Sequence, residues 1–289
     1  MMESASVVQR QIWRIGSSTS GNRSIPEETA VAVTYNGGTY AVMMTTPQDL
    51  EDFAVGFSLN EGVVSSSADI QSLDVVWLDN GVELRMWLNK PNAERLQGRR
   101  RHLAGPTGCG LCGIESVAEA MRASAMVRHG EQFTPNHIMI AMRNLPSRQK
   151  LNIETRAVHA AAFWNVASGI VALREDIGRH NALDKLSGAL ARASIEASEG
   201  IILLTSRVSV EMVQKSAAVG APVMVSVSAP TALAVRMADA AGITLVAVAR
   251  ADGFEVFTHP SRISDGFTAV FDRRQGELKR GTVGQVAPS

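Results

Sequence analysis

The chain has 289 residues, its 28 Lys and Arg balance 28 Asp and Glu, and 45% of its residues are hydrophobic. Neutrality argues against bulk nucleic-acid or membrane-surface binding, which leaves a strong basic excess, and two cysteines are too few for a disulfide-stapled secreted domain. Met1–Gly16 lacks the apolar stretch of a signal peptide. The uncharged run Ser216–Val235 is interrupted by Pro222 and Pro230, and reads as a strand followed by a helix rather than a membrane span. A soluble cytoplasmic protein with room for two domains is expected.

Residues 1–28 are polar and unpatterned, and are expected to form a flexible arm. Ala30–Tyr35 and Thr39–Thr45 flank Asn36-Gly37, a strong hairpin signal. A helix is predicted next, with Thr46 as cap, Pro47 in its first turn and Leu50, Phe53, Ala54 and Phe57 on one face, ending at Gly62. Asp74–Asp79 and Val82–Leu88 around Asn80-Gly81 form a second hairpin. From Lys90 to Gly113 no element is legible. Ile114, Val117, Ala118, Met121 and Ala125 then form a helical stripe, and a further helix spans Pro135–Leu145 behind a Thr134 cap.

The second half alternates. Strands are predicted at Ala160–Val166, Ile170–Arg174, Ile201–Thr205, Pro222–Val227 and Ile243–Ala249, with helices at Asn181–Ala193, Val210–Val219 and Thr231–Ala241. Gly220 and Gly242 stand where helices end. The pattern implies an α+β region with two β-hairpins over 29–150, then a three-layer α/β domain over 151–265 with its sheet covered on both faces. Residues 266–289 form a polar tail.

Both cysteines lie in Thr107–Gly113, TGCGLCG, a C-x-x-C immediately before a predicted helix. A helix start favours thiolate, and so do Arg85, Lys90, Arg95, Arg99, Arg100 and Arg101, opposed over that stretch by Glu94 alone. A thiolate there can carry sulfur as a persulfide, exchange disulfides or bind metal; a structural role is the plain alternative. Zinc lacks its usual second ligand pair and would need His102 and a partner subunit. A thioredoxin-type site expects the motif after the first strand of a βαβ unit, not after a long basic loop. Gly108, Gly110 and Gly113 also spell G-x-G-x-x-G, but no strand precedes them, and the deaminase motif fails because Gly108 and Ala104 replace its proline and glutamate.

Glu175–Lys185 (EDIGRHNALDK) is dense in charge at a strand-to-helix junction. Asp176, Arg179, His180 and Asp184 can supply donors, acceptors and an acid–base group where open α/β sheets bind ligands; the alternative is an exposed helix start capped by Asn181. Thr205–Glu211, with Arg207, Ser226–Thr231 and Ala249–Phe254 are further polar strand exits. Singly these are capped turns. Together they suggest a pocket for a phosphorylated, ring-bearing ligand. His159, between apolar neighbours, reads as a core residue.

TGCGLCG, TRAVHAA, REDIGRHNALDKL, TSRVSVEMVQKSAAVG and SAPTALAVRMA, in this order, resemble the FdhD family of formate dehydrogenase accessory sulfurtransferases from about Glu28 to Arg262. Arg156 and Ala157 replace residues that are small in the family, and the tail is extra. The resemblance implies a cytidine-deaminase-like fold without its zinc, no metal of its own, and a homodimer. It implies that a cysteine desulfurase loads sulfur on Cys109, with Cys112 as partner. The sulfur then passes to the molybdenum bis(molybdopterin guanine dinucleotide) cofactor, bound as substrate, before that cofactor enters formate dehydrogenase. Ala249, Arg250, Ala251, Asp252, Gly253 and Phe254 match the family's cofactor-binding stretch, and the residue pattern adds Arg207 and His180. The rival functions are a non-catalytic cofactor chaperone docking on formate dehydrogenase, and a thiol–disulfide oxidoreductase.

Overall fold

A computed structural model describes residues 3–103, 124–127 and 130–264. Cys109, Cys112, the helix expected after them up to residue 123, and the tail lie outside the described residues.

The first segment departs from expectation. β1 (Ala5–Arg14) and β2 (Ser17–Pro26) pair antiparallel as a hairpin. Gly16, at φ 81, supplies the turn. The ribbon is anchored at its base: Ser6 Oγ donates to Glu27 at 2.6 Å, and Arg23 Nη2 to the Thr155 carbonyl at 3.2 Å. Val7, Trp13 and Ile15 stay exposed, so no buried face imposes a readable periodicity on these strands.

β3 (Thr29–Tyr35), β4 (Gly38–Thr45), β5 (Ile70–Leu78) and β6 (Gly81–Leu88) form a small sheet in the order β4-β3-β6-β5. Asn36 and Gly37 both take positive φ, 49 and 77, as a type I′ hairpin turn needs. Val31, Val33, Leu84 and Met86 face α1 (Leu50–Asn60), burying Phe53 and Phe57 between sheet and helix. That helix starts at Leu50, not after a Thr46 cap: Asp49 enters it in the left-handed region with no side-chain cap. Thr46 instead faces inward, bonded to Asp176. The polar stretch after β6 is α2 (Lys90–Leu103), where no element was expected. Asn89 starts it by accepting from Asn92 N–H at 3.1 Å. This capping needs no apolar stripe.

The larger sheet has six strands: β7 (His159–Asn165), β8 (Gly169–Asp176), β9 (Ile201–Leu204), β10 (Val223–Ser226), β11 (Thr244–Arg250) and β12 (Gly253–Val256). Their order is β12-β11-β10-β9-β7-β8. β9, β10 and β11 run parallel, whereas β7 is antiparallel to β9 and β8 to β7. α3 (Pro135–Asn144) begins with the Thr134 capping box and packs Ile138 and Ala141 on one face; the short α4 (Lys150–Thr155) follows it. α5 (Arg179–Arg192), α6 (Val210–Val219) and α7 (Ala232–Ala240) cover the opposite face through Leu183, Leu186, Met212 and Ala238. Gly220 and Gly242, at φ 83 and 70, follow α6 and α7. The three layers are present as expected.

α1 and α5 join the two sheets by an unusually close crossing. A Cβ on Gly56 would stand 1.7 Å from the Asp184 carbonyl oxygen, and one on Gly188 1.9 Å from that of Asp52. Backbone meets backbone there, a separation that no side chain permits.

Candidate functional site

Strand directions assemble one polar edge. The carboxyl ends of the parallel β9, β10 and β11 point the same way, and the reversed β7 brings its first residue, His159, to that end. His159 is registered with Asp176, so β8 also ends there. The exits at Asp176–His180, Thr205–Glu211, Ser226–Thr231 and Ala249–Phe254 therefore lie along one side of the sheet.

The residues on this edge divide into two groups. Some hold the loops together. Thr205 Oγ1 accepts from Ala160 N–H at 2.8 Å, Ser226 Oγ donates to the Ser206 carbonyl at 2.6 Å, and Thr231 N–H reaches Val208 O at 3.0 Å. Others present free polar groups. Arg207, Arg250, Ala251 and Asp252 are exposed, and Gly253 and Phe254 half-buried, with Phe254 packed on the core beneath. Val248, just before them, has φ 51, which is strained for a β-branched residue. The β11–β12 register shifts across this point, between Ala247 and Arg250, as a bulge.

His180 Nε2 lies 3.2 Å from Glu211 Oε2, and the same oxygen accepts Ser209 Oγ at 2.8 Å. Partial burial pushes the His180 pKa below its ordinary 6.5, helped by Arg179 and Lys215 and opposed by Glu211. Burial and then Arg179 lower His159 in the same way. His159 is half-buried at the rim, so its reading as a core residue is only partly right. Glu211 was not singled out from the sequence; its signal was its position two residues after Ser209 at a helix start.

The rest of the charged motif turns inward. Asp176 is fully buried. Its carboxylate accepts from Thr45 Oγ1 at 2.5 Å, Thr46 N–H at 3.1 Å, Gly178 N–H at 2.8 Å and Asn181 Nδ2 at 3.0 Å, and meets Lys185 Nζ at 2.7 Å. Asp184, also buried, binds Lys215 Nζ at 2.7 Å and Asn60 Nδ2 at 2.6 Å. Asp52 holds Arg174 at 2.6 Å and Arg192 at 2.6 Å. Glu175 accepts from the Leu151 and Asn152 N–H groups, both at 2.8 Å. Asp176 and Asp184 are thus neither pocket groups nor an exposed helix start, and Asn181 is not the cap. They bind the small sheet's lobe to the large one. The helix cap is Gly178.

The basic stretch beside the cysteines is also partly engaged. Arg85 pairs with Glu83 at 2.8 Å, and Arg95 donates to the Val63 carbonyl at 3.1 Å. Among the described residues, no group of three or more His, Cys, Asp or Glu is placed to hold a metal ion, and no helix is long and apolar enough to cross a membrane.

The FdhD/NarQ family model matches residues 26–264, nearly the whole described chain. The chain belongs to the FdhD/NarQ family. A protein named sulfur carrier protein FdhD from Agrobacterium fabrum is 51% identical over 262 residues, covering 89% of this chain and 95% of the relative. One of the same name from Cupriavidus necator is 49% identical, covering 87% of each. The fold is shared with the crystal structure of a protein from Desulfotalea psychrophila described as a formate dehydrogenase accessory protein, at TM-score 0.73 and 23% identity, over 91% of this chain and all of that one. FdhD membership accounts for the motif order noted in the sequence.

Proposed function

We propose that this protein is a sulfur carrier that accepts persulfide sulfur from a cysteine desulfurase on Cys109. It delivers that sulfur to the molybdenum bis(molybdopterin guanine dinucleotide) cofactor destined for formate dehydrogenase. The reading is supported chiefly by family membership, since relatives covering most of the chain are named sulfur carrier proteins. The C-x-x-C at Cys109 and Cys112 is the sequence feature suited to that task.

Loading is an exchange at sulfur. The Cys109 thiolate attacks the outer sulfur of the donor's persulfide, a new S–S bond forms, and the donor's cysteine leaves as thiolate. For delivery, the Cys112 thiolate attacks the inner sulfur of the Cys109 persulfide. The outer sulfur departs as hydrosulfide toward its acceptor and a Cys109–Cys112 disulfide remains, which a cellular thiol reduces. The cofactor, as cargo, lies along the strand-exit edge, its guanine end at Ala249–Phe254 with Arg250 on its phosphates and Arg207 and His180 further along. Two exposed guanidinium groups suit phosphates. The three-layer half is read as a cytidine-deaminase relative lacking zinc, and the working form as a homodimer, which sedimentation at micromolar concentration tests.

The decisive experiment incubates the protein with a cysteine desulfurase and cysteine and follows intact mass. One added sulfur, lost in Cys109→Ala and released by a thiol, is expected. Cofactor binding without added sulfur would favour a chaperone, and reduction of insulin disulfides an oxidoreductase.

A further inference from the structure

Arg179 is the first residue of α5, and its Nε is shut off from solvent with no hydrogen-bond partner among the described residues. A buried N–H without an acceptor costs about 1–3 kcal/mol and is uncommon, so it points to an acceptor that the described residues do not supply. Two histidines stand close enough to feel its charge. His159 stands on the neighbouring strand in register with Asp176, and His180 follows it on the helix, steadied by Glu211. Asp176, buried three residues before it, is already saturated by Thr45, Thr46, Gly178, Asn181 and Lys185. It is not available to Arg179.

We propose that His159, Arg179 and His180 form an oxyanion subsite at the β7–β8 end of the sheet edge, separate from the Ala249–Phe254 end. β11 and β7 are three strand spacings apart, about 14 Å. A ligand whose base rests at the Ala249–Phe254 end would bring a charged group at its far end over this cluster. That assignment of the ligand rests on the reading of the edge as a nucleotide-cofactor site; the subsite itself rests on the unpartnered Arg179 Nε and its neighbours. Burial and Arg179 lower the pKa of His159 and His180, with Lys215 adding to the effect at His180, Asp176 opposing it at His159 and Glu211 at His180. An anion seated on Arg179 cancels part of that field and lets both imidazoles protonate more readily.

The test titrates inorganic phosphate into the full-length protein and follows the histidine ring signals by NMR. Both His159 and His180 should respond with one shared dissociation constant, and their pKa values should rise. Arg179→Gln should abolish the response, and Arg179→Lys should retain it with weaker binding. An absent response in the wild type, or an unchanged one in Arg179→Gln, overturns the subsite. Guanosine diphosphate distinguishes the source of the anion. If it displaces phosphate, the subsite takes the nucleotide's own phosphates; if phosphate still binds beside it, the subsite serves a second charged group. Should guanosine diphosphate fail to bind while phosphate still acts through Arg179, the cofactor reading falls and the subsite stands.

Discussion

Lys185 Nζ lies 2.7 Å from Asp176 Oδ2, and neither side chain is exposed to solvent. Both belong to the charge-dense segment Glu175–Lys185, yet their charges serve the joint between two lobes. Burial holds the lysine pKa below its ordinary value, with Asp176 opposing that shift. The ammonium group also donates to Thr46 Oγ1 at 2.8 Å and to the Thr46 carbonyl at 3.0 Å, so the β4–α1 connection, the β8–α5 turn and α5 itself converge on one ion pair.

Removing one partner should therefore be costly. Lys185→Met leaves a buried carboxylate without its counter-ion, and a loss of about 3–5 kcal/mol in urea unfolding is expected. A loss below about 1 kcal/mol would mean that water reaches Asp176 and that the pair does not hold the lobes.

Gly188→Ala offers a reversal of sign. Alanine in place of glycine inside a helix ordinarily stabilises by about 1 kcal/mol. Here the added Cβ would meet the Asp52 carbonyl oxygen at 1.9 Å, and α1 would be forced away from α5. Destabilisation by about 1–3 kcal/mol, or failure to fold, is expected in thermal unfolding. A stabilised variant would show that the helices do not cross at this point.

Elements with a buried face were legible from the sequence. Asn36-Gly37 and Gly220 announced their turns, and the apolar runs of β9 to β11 announced a sheet covered on both sides. β1 and β2 were not legible, because a ribbon with no core beneath it has nothing to impose alternation. α2 was hidden because its start depends on Asn89 and its residues are mostly polar. The largest misreading concerned Asp176 and Asp184. Charge at a strand exit looks alike whether it faces solvent, ligand or a second lobe, and only the packing of α1 on α5 decides among them. The strand exits could be grouped beforehand because parallel strands must end together.

His159 and His180 predict a pH signature. Their folded pKa values lie below the ordinary 6.5, so just under that pH the unfolded chain binds protons that the native state does not. Stability from these groups is complete above 6.5 and falls as pH drops toward the folded values. Asp49 and Glu175, raised by burial, act in the opposite sense at lower pH, so the difference between wild type and His180→Gln isolates the effect. That difference should grow from pH 6 to 7 in favour of the wild type. A flat difference would mean that His180 titrates normally.

Arg250 should discriminate by phosphate rather than by base. Guanosine diphosphate is expected to bind better than adenosine diphosphate. Arg250→Ala should weaken both by about tenfold, the size of one charge-assisted hydrogen bond. Equal affinity for the two nucleotides in the wild type would count against a guanine site at Ala249–Phe254.

Val248 tests whether strain in this loop is functional. A β-branched residue at φ 51 costs about 1–3 kcal/mol, whereas glycine adopts that conformation freely. Val248 is only half-buried, so Val248→Gly gives up modest packing and relieves the strain. Stability should stay level or rise, while affinity for guanosine diphosphate falls because the bulge before Arg250 loosens. If stability instead drops by about 1 kcal/mol or more and affinity holds, the strained backbone contributes nothing to binding and Val248 is there for its packing alone.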